Sequence, residues 1–274
     1  TRCTHRRQRQ MCIRDRLSAT ALYRTQWVGL DGAPKTITFG IHSPLRNERI
    51  GLGLNIVSDR LGPAEETSID ANVSYTIPVD ETGDLELSFG LKAGLHILDT
   101  DWNKGIYSTN DPLFNDNINL ISPTLGSGLY LHSDRWYLGL SVPNILNTEH
   151  YDDFQESIAT ERLHYFLIGG YVFDLSEKTK LKPAFLVKGV SGAPLIADLS
   201  VNALFNDKFT LGLAYRWDDA LSGLAGFQVN PGLFIGYAYD TTTTGLNNYN
   251  SGSHEIMLRF ELQEIGKILS PRFF

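Results

Sequence analysis

Three short stretches decide the fold: FTLGLAYRW (209–217), LFIGYAYD (233–240) and HEIMLRFEL (254–262). In the first, Phe209, Leu211, Leu213, Tyr215 and Trp217 alternate with Thr210, Gly212, Ala214 and Arg216. In the second, Leu233, Ile235, Tyr237 and Tyr239 take every other place. In the third, Ile256, Leu258, Phe260 and Leu262 alternate with Glu255, Met257, Arg259 and Glu261. A period of two places one set on each face of a sheet. One face is apolar and ends in aromatics; the other is small, polar or charged.

The pattern recurs along the chain. It predicts fourteen antiparallel strands, over 18–27, 36–43, 50–59, 68–78, 84–98, 124–132, 136–142, 162–174, 181–190, 198–205, 209–217, 221–229, 232–240 and 253–262. HYFLIGGYVF (164–173) fits least well, being apolar on both faces. The connections sort by parity. Those after even-numbered strands are short (79–83, 133–135, 175–180, 206–208, Asn230-Pro231), with 44–49 somewhat longer. The long ones, 99–123, 143–161 and 241–252, all follow odd-numbered strands. Short turns on one rim, long loops on the other and an even strand count describe an all-β transmembrane outer-membrane β-barrel. Closing the sheet also removes the edges that an open sheet of this size would have to protect.

Composition agrees. The 274 residues include 25 Gly, 4 Trp, 12 Tyr and 14 Phe, a mixture suited to strands and interfacial girdles. No run of 18 apolar residues exists to form a membrane helix. Barrel strands need only about ten residues each and hide their apolarity in alternation. Residues 1–16 differ: they hold six Arg, one Asp and both cysteines, Cys3 and Cys12, without alternation. They read as a non-native N-terminal segment, and 17–274 as one barrel domain with a short periplasmic C-terminal tail. Net charge is −7 with those arginines counted, and the remainder is more acidic still. That balance argues against a nucleic-acid partner.

Motifs for catalysis are missing. There is no GxSxG, no Walker loop and no GxGxxG opening a helix. His254-Glu255 has Leu258, not His, at the zincin position. Asp99, Asp101, Asn103 and Gly105 resemble part of a calcium loop, but its sixth and twelfth places hold Lys104 and Asn110. No catalytic, cofactor or metal residue is expected. His96, His132 and His254 are placed on the polar face. Arg24, Glu86, Lys92, Lys182, Lys188, Asp198, Arg216, Glu255 and Arg259 form a candidate lumen charge network, with Lys92 paired to a carboxylate such as Glu86. Trp27, Trp136, Trp217, Tyr215 and Tyr239 lie near strand ends, where interface girdles sit. Trp102, Tyr107, Phe114, Tyr151 and Phe154 lie among polar residues of long loops and are candidate partner anchors.

From residue 17 onward the chain resembles the PorP/SprF family of outer-membrane proteins tied to type IX secretion in Bacteroidetes. The blocks that carry the likeness are YRTQW (23–27), GAPKT (32–36), LGLSVPNIL (138–146), HYFLIGGYVF (164–173), LKPAFLVK (181–188), GAPLIADL (192–199), LGLAYRWDDALSGLAGFQ (211–228), GYAYD (236–240), GSHEIMLRF (252–260) and SPRFF (270–274). The resemblance implies a non-enzymatic barrel in the cell outer membrane. It implies a partner or anchor for type IX secreted surface proteins, gliding-type adhesins among them, recognised through their C-terminal domains. It also implies contact with periplasmic secretion or peptidoglycan-associated components. Gly32 to Lys35 would form the first extracellular loop, and 270–274 a periplasmic tail. A passive or ligand-selective pore is the alternative.

Overall fold

The computed structural model describes residues 17–45, 49–81, 83–102, 117–146, 163–245 and 249–262. Fifteen β segments run in chain order: β1 Ser18–Thr25, β2 Lys35–Pro44, β3 Ile50–Leu61, β4 Ala64–Pro78, β5 Glu86–Thr100, β6 Ile118–His132, β7 Trp136–Val142, β8 His164–Tyr171, β9 Phe173–Ser176, β10 Thr179–Val190, β11 Ile196–Phe205, β12 Phe209–Arg216, β13 Ala220–Asn230, β14 Leu233–Thr242 and β15 Ser253–Glu261. β8 and β9 both pair with β10 and are one strand interrupted at Val172. The result is a fourteen-stranded antiparallel sheet, closed where β1 pairs with β15 and where β10 pairs with β11.

The sheet twists and tilts as closure requires. One row of paired residues runs from Lys182 through Asn202, Gly212, Leu224, Ala238, Glu255, Arg24, Thr36, Asp59, Glu66 and Leu98 to Leu120. It begins near the short-turn end of β10 and finishes near the long-loop end of β6. The shear is about equal to the strand number, in keeping with tilts of about 35–45°.

Alternation sorts every strand. Leu52, Leu54, Ile69, Val73, Leu91, Leu95, Leu199, Val201, Leu211, Leu213, Ile256 and Leu258 are exposed on the outside. Such a belt is tolerable only against lipid. Among the described residues the buried apolar side chains are just Val172, Ala220 and Phe234, so no packed hydrophobic core fills the ring. The backbone ladder and the bilayer hold this fold together, because each strand's polar groups are satisfied by its two neighbours. No described helix is long and apolar enough to cross a membrane.

The expected loop parity is present: connections 45–49, 79–85, 133–135, 177–178, 206–208 and 231–232 share a rim with the start of β1 and the end of β15. The other rim carries 26–34, 62–63, 101–117, 143–163, 191–195, 217–219 and 243–252. In outer-membrane barrels these are the periplasmic and cell-surface rims respectively.

Several strand edges differ from expectation, two of them instructively. β6 begins at Ile118, not 124, so the loop expected over 99–123 shrinks to 101–117. Pro123 hid this, yet it is harmless in place. Leu125 accepts from Ile145 N–H on the β7 side (2.7 Å), so Pro123, two residues away, turns its nitrogen to that side and leaves the β5 ladder intact. Lys35, expected in the first loop, is instead the first residue of β2.

Candidate functional site: the lumen wall and the long-loop rim

The inner wall is built from the residues between the exposed apolar ones. Tyr23 faces out, so Arg24 faces in; its guanidinium meets Asp240 (2.6 Å) and Glu255 (3.2 Å). Leu91 faces out, so Lys92 faces in and meets Asp70 at 3.0 Å; Thr124 Oγ1 donates to the same carboxylate (3.0 Å). The partner expected for Lys92 was Glu86. Six residues along one strand set those two about 20 Å apart, and Glu86 lies near His132 instead (3.6 Å). Arg216 meets Asp198 through Nε (2.7 Å) and Nη2 (3.3 Å), and also Asp219 (3.3 Å). Arg259 lies near Glu261 (3.1 Å) and over the Phe234 ring (4.9 Å). Lys188 sits 5.7 Å from the Phe166 ring centroid. Lys182 faces inward beside Asn202.

All nine charged candidates therefore point into the lumen. Asp70, Asp240, Asp219 and Glu261 complete their pairs and were not singled out from sequence. Parity alone marks Asp70, Asp240 and Glu261 as inward. Their pairing needed the strand register, which the sequence does not state.

Glycines let these side chains lie flat on the wall. A Cβ on Gly170 would come within 2.8 Å of the Tyr137 ring, and one on Gly40 within 2.8 Å of Asn55 Oδ1. Tyr137 in turn stacks beside Tyr130 (centroids 5.8 Å), and Tyr130 beside His132 (5.2 Å). HYFLIGGYVF is apolar on both faces for this reason: Phe166 and Val172 line an aromatic part of the inner wall.

His254 corrects an expectation. It was placed on the polar face, but it shares the parity of Ile256 and Leu258 and lies outside. Its Nδ1 is 2.7 Å from the Tyr237 hydroxyl, and its ring is 5.2 Å from that of Tyr239. It belongs to an aromatic girdle at the long-loop rim, with exposed Tyr23, Tyr215, Trp217 and Tyr239. His96 and His132 do face inward, and His96 Nδ1 is 3.0 Å from Ser68 Oγ. A second girdle near the short-turn rim includes Tyr171 with Phe173 (4.5 Å) and Phe209 with Phe227 (4.8 Å).

The long-loop rim is stitched together by backbone bonds. Val28 N–H donates to Gly252 (2.9 Å) and Ser251 N–H donates back to Val28 (2.8 Å). Gly62 N–H donates to Gly32 (3.0 Å), and Asp101 N–H to Pro63 (3.1 Å). Gly32, Gly62 and Gly252 all have positive φ, which the tight approach of these loops requires. One continuous ledge thus joins the β14–β15, β1–β2, β3–β4 and β5–β6 connections. Trp102 is half-buried at the base of the last of these, its backbone N–H donating to Asn117 Oδ1 (3.2 Å). Tyr107, Phe114, Tyr151 and Phe154 lie outside the described residues, as do 1–16 and the 270–274 tail.

A closed ring, an apolar belt, two girdles and a polar inner wall define an outer-membrane β-barrel. Solved structures agree on the fold. Omp33 of Acinetobacter baumannii aligns with a TM-score of 0.52 at 8% identity, covering 92% of this chain and 100% of that one. The monoaromatic hydrocarbon channel CymD aligns at 0.51 and 10% identity, covering 92% and 90%. No curated protein sequence matches the chain. The model of the type IX secretion system membrane protein PorP/SprF matches residues 12–260. The chain belongs to that family and is an outer-membrane component of type IX secretion. Family and fold together point to a structural or secretion role.

Proposed function

We propose that this barrel is the outer-membrane partner that retains type IX secreted surface proteins, gliding-type adhesins among them, by engaging their C-terminal domains from the cell-surface rim. The observation that carries the reading is the sorting of every long connection to one rim, above a backbone-stitched ledge, in a chain of this family. Cargo that has crossed the membrane meets that rim first, and exposed loops on a rigid scaffold are where binding residues concentrate. Trp102, Tyr107, Phe114, Tyr151 and Phe154 are the proposed anchors, because buried aromatics dominate binding hot spots. Contact with periplasmic secretion or peptidoglycan-associated components through the opposite rim belongs to the same proposal.

The test replaces Trp102, Tyr107 and Tyr151 with Ala. Surface retention of cargo should fall, while the heat-modifiable gel mobility of the barrel stays unchanged. Retention that persists with all three removed would move the cargo site elsewhere, first to the periplasmic tail around 270–274. A pore is the second reading, favoured by the polar inner wall and the absence of a packed apolar core among the described residues.

A further inference from the structure

The rim of the closed sheet has a step in it between β6 and β7. β7 stops at Val142, in register with Ser127, while β6 runs on to Ile118 and stays paired with β5 up to Thr100. At the step the chain leaves β7 through Pro143. Ile145 N–H donates to the Leu125 carbonyl (2.7 Å), and Leu125 N–H donates to Asn144 Oδ1 (3.3 Å). Above that point nothing among the described residues pairs with β6 on its β7 side. Backbone groups point alternately to the two sides of a strand, so Asn119, Ile121 and Pro123 share the side of Leu125. The N–H and C=O groups of Asn119 and Ile121 and the C=O of Pro123 form an open edge there.

This edge stands among polar neighbours. The row through Ile121 continues through Ile97 and Thr67 to Ser58, and Asn119 sits opposite Asp99. Inside the bilayer an open edge is untenable, because lipid offers no hydrogen bonds. In water it is a template for another strand, and proteins commonly blunt such edges with charge or proline. Pro123 does so only at the lower end. Asn119 and Ile121 carry no charge, and the Ile121 side chain is 60% exposed on the outer face. A second copy of this chain does not fit the edge. Two barrels in one membrane share an orientation, so their β6 strands both descend toward the bilayer. Tilted by about 35–45° each, they cross where they meet instead of lying side by side.

We infer that the upper edge of β6, from Asn119 to Pro123, takes an extended strand of the secreted surface protein as an added member of the sheet. The inference rests on the cargo-retaining role proposed above and names its contact. Strand addition draws affinity from main-chain hydrogen bonds and selectivity from alternate side chains. The incoming strand takes the place that β7 vacates at Pro143. Its backbone meets the N–H and C=O groups of Asn119 and Ile121, and one of its N–H groups meets the Pro123 carbonyl. Pro123 has no N–H to give, which sets the lower end of the ladder. On the outer face the incoming residue beside Ile121 is apolar, as Ile97 is on the other side, because cross-strand apolar pairs stabilise a sheet.

The experiment uses the purified full chain in lipid and, as probe, the purified C-terminal domain of a gliding-type adhesin exported by the same cells. Amide exchange is followed residue by residue along β6. In the free barrel the N–H groups of Asn119 and Ile121 should exchange fast, while those of Leu120 and Ser122, turned toward β5, exchange slowly. Bound domain should slow Asn119 and Ile121 severalfold. Ile121→Pro removes a donor on the open side and leaves the β5 ladder intact; it should weaken binding of the domain severalfold while the heat-modifiable mobility of the barrel is kept. Ile121→Val should bind as the wild type does. Slow exchange at Asn119 and Ile121 in the free barrel overturns the inference. So does a domain that binds without slowing them, or one that binds the folded Ile121→Pro barrel undiminished; these two results leave the cargo-retaining role standing. A domain that does not bind the wild-type barrel overturns that role and the inference with it.

Discussion

The wall formed by β3 to β6 and the wall formed by β12 to β15 cross the same bilayer with different lengths of chain. The first uses strands of 12, 15, 15 and 15 residues; the second uses 8, 11, 10 and 9. About 9–11 tilted residues suffice to span the hydrocarbon, so the second wall is little longer than the membrane demands. The first continues past the belt, and its outer face changes character there. Above Ile56, Ile69 and Ile97 come Ser58, Arg60, Glu65, Thr67 and Asp99, linked by Arg60–Glu65 (2.6 Å) and by Ser58 with Glu65 and Thr67 (3.4 Å each). The second wall ends in Tyr215, Trp217 and Tyr239. The belt is set by lipid and the height above it is not, so the raised polar wall is chain that membrane spanning does not require.

The largest effect should come from breaking the belt, and it should be the same on both walls. Leu91 on β5 is 60% exposed and Leu213 on β12 is 66% exposed, each between residues of opposite parity that face the lumen. Arg at either place should cost about 2–4 kcal/mol near the bilayer midplane, read as unfolding midpoints in lipid. A large cost at Leu213 with none at Leu91 would mean that the raised wall stands partly free of the membrane at that level.

A smaller cost is expected inside the raised wall. Lys92→Leu removes the ammonium from the Asp70 carboxylate, 9% exposed, and leaves Thr124 Oγ1 donating to it. Stranding a buried acceptor costs about 1–3 kcal/mol. Adding Asp70→Asn should recover part of that loss, because an amide oxygen still accepts from Thr124 without a charge to solvate. A double variant as unstable as the single one would show that Lys92 contributes through packing along its stem.

The same comparison explains what could be read from sequence. On β12 to β15 the predicted and observed strands nearly coincide, because lipid selects an apolar residue at every second place to the end of the strand. On the raised wall the reading fell short at the tops. β4 starts at Ala64 instead of 68, and β6 at Ile118 instead of 124. AEETS and INLISPT lie above or at the edge of the belt, where nothing selects alternation. His254 was misplaced because its polarity was given more weight than its parity with Ile256; at a girdle a histidine hydrogen-bonded to Tyr237 is acceptable on the outside. Lys92 was matched with Glu86 because both face inward, whereas the register that brings Asp70 beside it depends on the loops and the shear.

The smallest expected effect lies at the top of the raised wall and sharpens the comparison most. Arg60 and Glu65 are joined at 2.6 Å, but both are well exposed, with side-chain exposures of 62% and 42%. Water screens such a pair, and holding two long side chains together offsets much of the attraction. Arg60→Ala, Glu65→Ala and the double variant should therefore leave the unfolding midpoint where it is. Ile56→Arg, four residues toward the membrane on the same outer face, should lower it clearly. That contrast locates the upper edge of the belt to within one turn of the pleat. If Arg60→Ala destabilises as much as Ile56→Arg, the raised wall is part of the membrane-spanning structure, and its height has to be explained by a thicker local bilayer instead of by a surface presented to the cell exterior.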